Sequence, residues 1–129
     1  MSWLPSETAV WAWLGFLLAL VMVHELGHVM ATWLVGGRVT GVVIHRGWMI
    51  GTRIHVDGLS TSRIALTLVA ALGGDVLVWG SASLLWPGHV LTWSVLLGAH
   101  WLPNIVPWPG IPNDGHRLWQ LWRTERAES

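Results

Sequence analysis

The sequence predicts an all-α membrane protein of about three transmembrane helices. A short membrane-associated β-hairpin is expected between the first and second, and an interfacial helix at the C-terminal end. Two observations carry this prediction. Of 129 residues, 53% are hydrophobic and 11% charged, with a mean hydropathy of +0.52, which lies outside the range of a soluble globular domain. The apolar residues also fall into runs long enough to cross a bilayer, punctuated by Gly-Gly, Pro-Gly and a proline-rich stretch. One domain covering 1–129 is expected at this length. Basic charge is carried by seven Arg and no Lys. Cys is absent, so disulfides and thiolate metal sites are excluded.

The first span is expected over 8–35, roughly 42 Å at about 1.5 Å per residue. Ser6 or Thr8 opens it, with Pro5 just ahead and Glu7 in the first turn, and Gly36-Gly37 closes it. Trp3, Trp11 and Trp13 near one end and Trp33 near the other suit the two aromatic belts. Gly15 and Gly27 leave room for a second helix or an extended substrate backbone. No basic segment precedes the run and no small-residue cleavage site follows it, so it reads as a retained span.

Over 39–56 the pattern changes to β-branched residues broken by Gly41, Gly47 and Gly51. This predicts a β-hairpin turning near Arg46-Gly47, with Trp48, Met49 and Ile50 at a tip that dips into the membrane face. Its open edge can accept an extended peptide. A plain amphipathic connector is the alternative. The second span is expected over 64–86, capped by Ser60 or Thr61 and stopped by Pro87-Gly88, with Asp75 beside Gly73-Gly74 at its centre. The third, over 90–106, is broken by Pro103 and Pro107, and irregular backbone follows from Asn104 to Asn113. Such backbone is tolerated at membrane depth only where it is buried in protein or lines a wet cavity. An interfacial helix over 114–125 turns Leu118, Trp119, Leu121 and Trp122 to lipid, and Arg117 and Arg123 to water. With three spans, all seven Arg share one side. The positive-inside rule makes that side cytoplasmic, leaving the N-terminus outside and the C-terminus inside a multi-pass protein of, on expectation, a bacterial cell membrane.

Into this apolar frame the first span inserts His24-Glu25-Leu26-Gly27-His28. A charged side chain near the bilayer centre costs about 2.5–3.5 kcal/mol on insertion scales, so polar groups there ask for a function. Residues four apart share a helix face. His24 and His28 can therefore offer two nitrogens to one cation while Glu25, about 100° round, stands beside it as a base for water. An irregular stretch turning at the same depth can bring Asp114 to the histidines as a third ligand. Read alone, an Asp opening a short helix is an N-cap, and Asp75 is an intramembrane acid that either ligates, carries protons or bonds a neighbouring helix. His45, His55, His89 and His116 read as solvated or interfacial, with His116 also a candidate to support a neighbouring ligand. His100, inside the third helix, is the one to follow.

These residues resemble the site-2 protease family of intramembrane zinc metalloproteases. The likeness rests on His24-Glu25-Leu26-Gly27-His28 in a first span and on Asn104-Ile-Val-Pro107-Trp-Pro109 with Asp114-Gly115 after a third, and it extends over nearly the whole chain. It implies a minimal three-helix core in which His24, His28 and Asp114 bind Zn2+, Glu25 activates water, and Asn104 helps hold the substrate backbone. The hairpin would correspond to the family's membrane-associated β-element. Two departures stand out. Asp114 comes two residues late and follows Asn113 instead of Leu. The second helix has Gly73-Gly74-Asp75 where the family has Gly-Pro and a following Asn, which leaves Asp75 as the alternative third ligand.

The expected function is zinc-dependent hydrolysis of peptide bonds in or near transmembrane segments. The alternative is a catalytically idle metal-binding subunit of a larger membrane complex, against which the intact Glu25 argues. A metal transporter ranks lower, because one His-His-Asp cluster supplies no path across the bilayer. The expected partners are a membrane-protein substrate with a transmembrane helix, the lipid bilayer, and either a second copy of the chain or a partner subunit. No nucleic-acid signature is present.

Overall fold

The computed structural model describes residues 6–45 and 49–128. In chain order these form α1 (Glu7–Leu34), β1 (Arg38–His45), β2 (Met49–His55), α2 (Thr61–Leu85), a single 3-10 turn (Pro87–His89), α3 (Val90–Ile105) and α4 (Asp114–Glu128). The hairpin turn expected near Arg46-Gly47 and Trp48, and the belt residue Trp3, lie outside the described residues.

Helix α1 starts where its chemistry allows. The Ser6 hydroxyl accepts from the Ala9 N–H at 3.3 Å, satisfying one orphan donor of the first turn. It ends because Gly36 takes a left-handed conformation (φ +86°), letting the Gly37 N–H donate to the Thr32 carbonyl at 2.8 Å. A side chain at Gly37 would collide with Thr32 and come within 3.2 Å of the His55 carbonyl oxygen, so the returning strand lies directly against the helix end. Strands β1 and β2 pair antiparallel, with Val42 opposite Thr52 and Val43 opposite Gly51, and a bulge falls between Val39 and Gly41.

Helix α2 is capped by Ser60, whose hydroxyl accepts from the Arg63 N–H at 3.4 Å. It packs along α1 through two small-residue contacts. A Cβ on Gly27 would sit 2.7 Å from the Ala71 Cα, and one on Gly74 would sit 2.9 Å from a Val23 methyl. Backbones that close need glycine, the usual way for helices to associate where lipid removes the hydrophobic drive. Both contacts flank the polar cluster. Gly15, by contrast, meets open space and serves no such approach.

Both α1 and α2 are long and apolar enough to cross a membrane. Along α1, Leu14, Leu18, Met22, Leu26 and Met30 recur every fourth residue and are each at least 47% exposed, an outward apolar stripe suited to lipid. Helix α3 lies where the third span is expected but is too short to cross by itself. Its 16 residues reach about 24 Å, short of the roughly 30 Å of hydrocarbon. Its end at Ile105 agrees with the expected boundary at 106, but Asn104 is still helical, so the irregular stretch begins after Ile105 and not at Asn104. The helix stops there because Pro107 lacks the N–H that would bond the Pro103 carbonyl four residues back.

The apolar core lies in one half of the bundle, where Phe16 and Leu20 of α1 meet Ala82 of α2 and Trp93 and Leu97 of α3. The other half holds the hairpin, the start of α4 and the polar residues.

Candidate metal centre

Three side chains converge at the level of the Gly27 and Gly74 contacts. The Asp114 Oδ2 lies 2.9 Å from His28 Nε2 and 3.2 Å from His24 Nε2. Both histidines are buried, and Asp114 is 15% exposed at its side chain. Together they form a group that could hold a metal ion. A tetrahedral ion bonded at about 2.0–2.1 Å separates its ligand atoms by about 3.3–3.4 Å, so the spacing needs only slight opening to fit.

The far nitrogens of the two rings are also committed. His28 Nδ1–H donates to the Thr67 carbonyl at 2.7 Å, and His24 Nδ1–H donates to Asp75 Oδ2 at 2.8 Å. A ligating imidazole is fixed in tautomer and direction by such a partner on its other nitrogen, whether carbonyl or carboxylate. Both partners come from α2. The close α1–α2 approach at Gly27 and Gly74 is therefore what sets the orientation of the histidines.

Asp114 reaches the site through a device the sequence did not reveal. Asn113 is buried and donates its amide to the Pro103 carbonyl at 2.7 Å and to the Val106 carbonyl, covering acceptors left open where α3 breaks. Its Oδ1 accepts from the His116 N–H at 2.8 Å. Asn113 is thus the N-cap of α4, which frees Asp114, the first residue of the helix, to face the histidines. Between them, a turn at Pro109-Gly110 (φ +75° at the glycine) reverses the chain.

Asp75 does not join this group through the same nitrogens. It is fully buried and bonds the opposite side of the His24 ring, where its Oδ2 also accepts from Trp101 Nε1 at 2.9 Å and lies 3.6 Å from His100 Nε2. His24, Asp75 and His100 make a second group whose spacing could hold a metal. In it, however, the shared carboxylate oxygen is already taken by two N–H donors. The first group instead opens onto a cleft of about 690 Å³ that Glu25, Thr52, Asn104 and Arg117 also line. Glu25 sits at its edge and accepts from the Thr52 hydroxyl. Asn104 faces the cleft while its amide donates to the His100 carbonyl at 2.9 Å.

Other histidines lie elsewhere. His55 pairs with Asp57 at the surface, His89 lies against Trp93, and His116 accepts from or donates to Gln120. Thr52, Thr67, Trp101 and Asn113 were missed as contributors to the site. Only Asn113 carried a signal, as the residue that departs from the motif the chain resembles. No protein-family model, curated protein or solved structure matches this chain.

Proposed function

We propose that this chain is a zinc-dependent intramembrane endopeptidase that cleaves peptide bonds in or near transmembrane segments of other membrane proteins. The observation that supports this reading is the convergence of His24 Nε2, His28 Nε2 and Asp114 Oδ2 at the floor of a cleft, with Glu25 on its rim. Two imidazoles and one carboxylate are a hydrolytic zinc set that leaves a coordination position open, and the buried polar partners on both rings are what such ligands need.

A bound zinc supplies Lewis acidity, polarising the scissile carbonyl and making water a nucleophile near neutral pH. The rest falls to the chain. Glu25 takes the proton of the attacking water as the C–O bond forms, then hands it to the amine as the C–N bond breaks. A helical substrate hides its scissile carbonyl in hydrogen bonds, so it must unwind. Among the described residues strand β2 is paired along one edge only, which leaves the other to pair with the unwound segment, and Asn104 stands across the cleft to hold its backbone. In this reading α3 and the irregular stretch that follows it together complete a third crossing, which puts the N-terminus outside and the arginine-rich C-terminal helix at the cytoplasmic face of a multi-pass protein.

The test is metal content of the purified protein together with cleavage of co-expressed single-span membrane proteins. Glu25→Gln should keep zinc while hydrolysis falls by about 10²–10⁴-fold, the range for loss of a general base. Zinc binding without cleavage of any tested substrate by the unaltered chain would instead favour an idle subunit. Lack of zinc would overturn both.

A further inference from the structure

Glu25 poses a positioning problem that α1 does not solve. It follows His24 by one residue, so its side chain leaves the helix about 100° away from the ligand face. Three rotatable torsions separate its carboxylate from the backbone, and rotamer freedom of this kind must be frozen for a base to act at a fixed distance. The partner that fixes it comes from the hairpin, where the Thr52 hydroxyl donates to Glu25 Oε2. The alternation of β2 explains why Thr52 is available. Thr52, Ile54 and Val56 are half-buried on the cleft side, whereas Arg53 and His55 are exposed.

The same strand is the candidate substrate edge. It borders the cleft through Gly51, Thr52 and Ile54, a Cβ on Gly51 would meet open space, and among the described residues only β1 pairs with it. Its root is held against α1 by the close approach of Gly37 to the His55 carbonyl. One strand therefore carries both the edge on which a substrate backbone can pair and the hydroxyl that grips the base.

We propose that Thr52 is a positioning residue that orients the Glu25 carboxylate from the substrate-pairing strand, coupling placement of the base to docking of the unwound peptide. The inference rests on the peptidase reading above. Thr52 touches neither metal nor substrate in this role, so its loss acts on turnover.

The test compares Thr52→Val, which keeps the shape and removes the donor, with Thr52→Ser, which restores the donor. The probe is a synthetic single-span peptide with a helix-breaking Asn-Gly centre and a fluorophore–quencher pair, reconstituted with the zinc-loaded protein. Thr52→Val should keep its zinc and its KM while kcat falls about 10-fold or more, as expected for loss of a hydrogen bond to a charged group, and Thr52→Ser should recover most of kcat. A Thr52→Val enzyme with unaltered kcat, or a Thr52→Ser enzyme as slow as Thr52→Val, would overturn the proposal. A second readout needs no turnover. With glutamate labelled by ¹³C at the carboxyl carbon, and Glu25 assigned through Glu25→Gln, its resonance should move in Thr52→Val and return in Thr52→Ser. An unmoved resonance refutes the contact even if the peptide is never cleaved, whereas a moved resonance without cleavage by the unaltered protein upholds the contact and sinks the peptidase reading.

Discussion

Gly115 is the residue on which the proposed third ligand, Asp114, depends most sharply. A Cβ at this position would lie 1.6 Å from the Ile105 carbonyl oxygen, against a limit near 3.0 Å for real contacts. In Gly115→Ala the start of α4 must retreat from the end of α3 by about 1.4 Å. The obstacle is backbone, so no side-chain rotation can absorb the move. Asp114 is the neighbouring residue, and metal sites hold ligand distances to within about 0.2 Å. A shift several times that tolerance removes the carboxylate from the set, and zinc affinity should fall by more than about 100-fold, beyond the 10–100-fold typical of losing only a supporting group. Chelator competition on the purified protein measures this, with circular dichroism to verify that helix content is retained. Gly15→Ala is the control, because its new Cβ meets open space and should leave zinc affinity unchanged. Gly115→Ala with affinity within twofold of the unaltered chain would refute the placement of Asp114 as a ligand.

Asp75→Asn should separate support from ligation. It keeps an acceptor for His24 Nδ1–H at 2.8 Å but loses the charge, so zinc should bind about 10–100-fold more weakly without being abolished. Complete loss in Asp75→Asn, alongside full occupancy in Asp114→Ala, would move the ion to the His24, Asp75 and His100 group. Topology can be read with cysteine labelling, because the chain has no Cys of its own. A single Cys at Ser2 should react with an impermeant reagent from outside and one at Ser129 should be protected; the reverse pattern would invert the proposed orientation.

The two histidines were legible because helical spacing alone puts positions 24 and 28 on one face, and no tertiary information is needed for that. The strands were legible too, from β-branched runs between glycines, and Ser60 from its place ahead of an apolar run. What escaped depends on which helix meets which, and at what height. Whether Asp75 binds a metal or a histidine is decided by the α1–α2 register, which turns on the nesting of Gly27 and Gly74. Nothing local to Gly73-Gly74-Asp75 encodes it. Thr67 contributes a carbonyl, which any residue type would supply. The start of the irregular stretch, after Ile105 and not at Asn104, has a related cause: Pro103 can be carried inside a helix whose freed acceptors find a partner, and Asn113, ten residues away, covers the break that Pro107 makes.

Sequence distance within the site imposes an order of assembly. His28 and Asp114 are 86 residues apart, and the clamps on both imidazoles come from a helix made between them. As the chain is synthesised, α1 forms with its two histidines neither oriented nor backed by a third donor. α2 then locks the rings, and α4, made last, closes the set. If the group holds an ion as proposed, high-affinity capture can follow only when the C-terminal helix has arrived, so metal uptake would report completion of the fold and the nascent chain would be spared from trapping whichever cation it meets first.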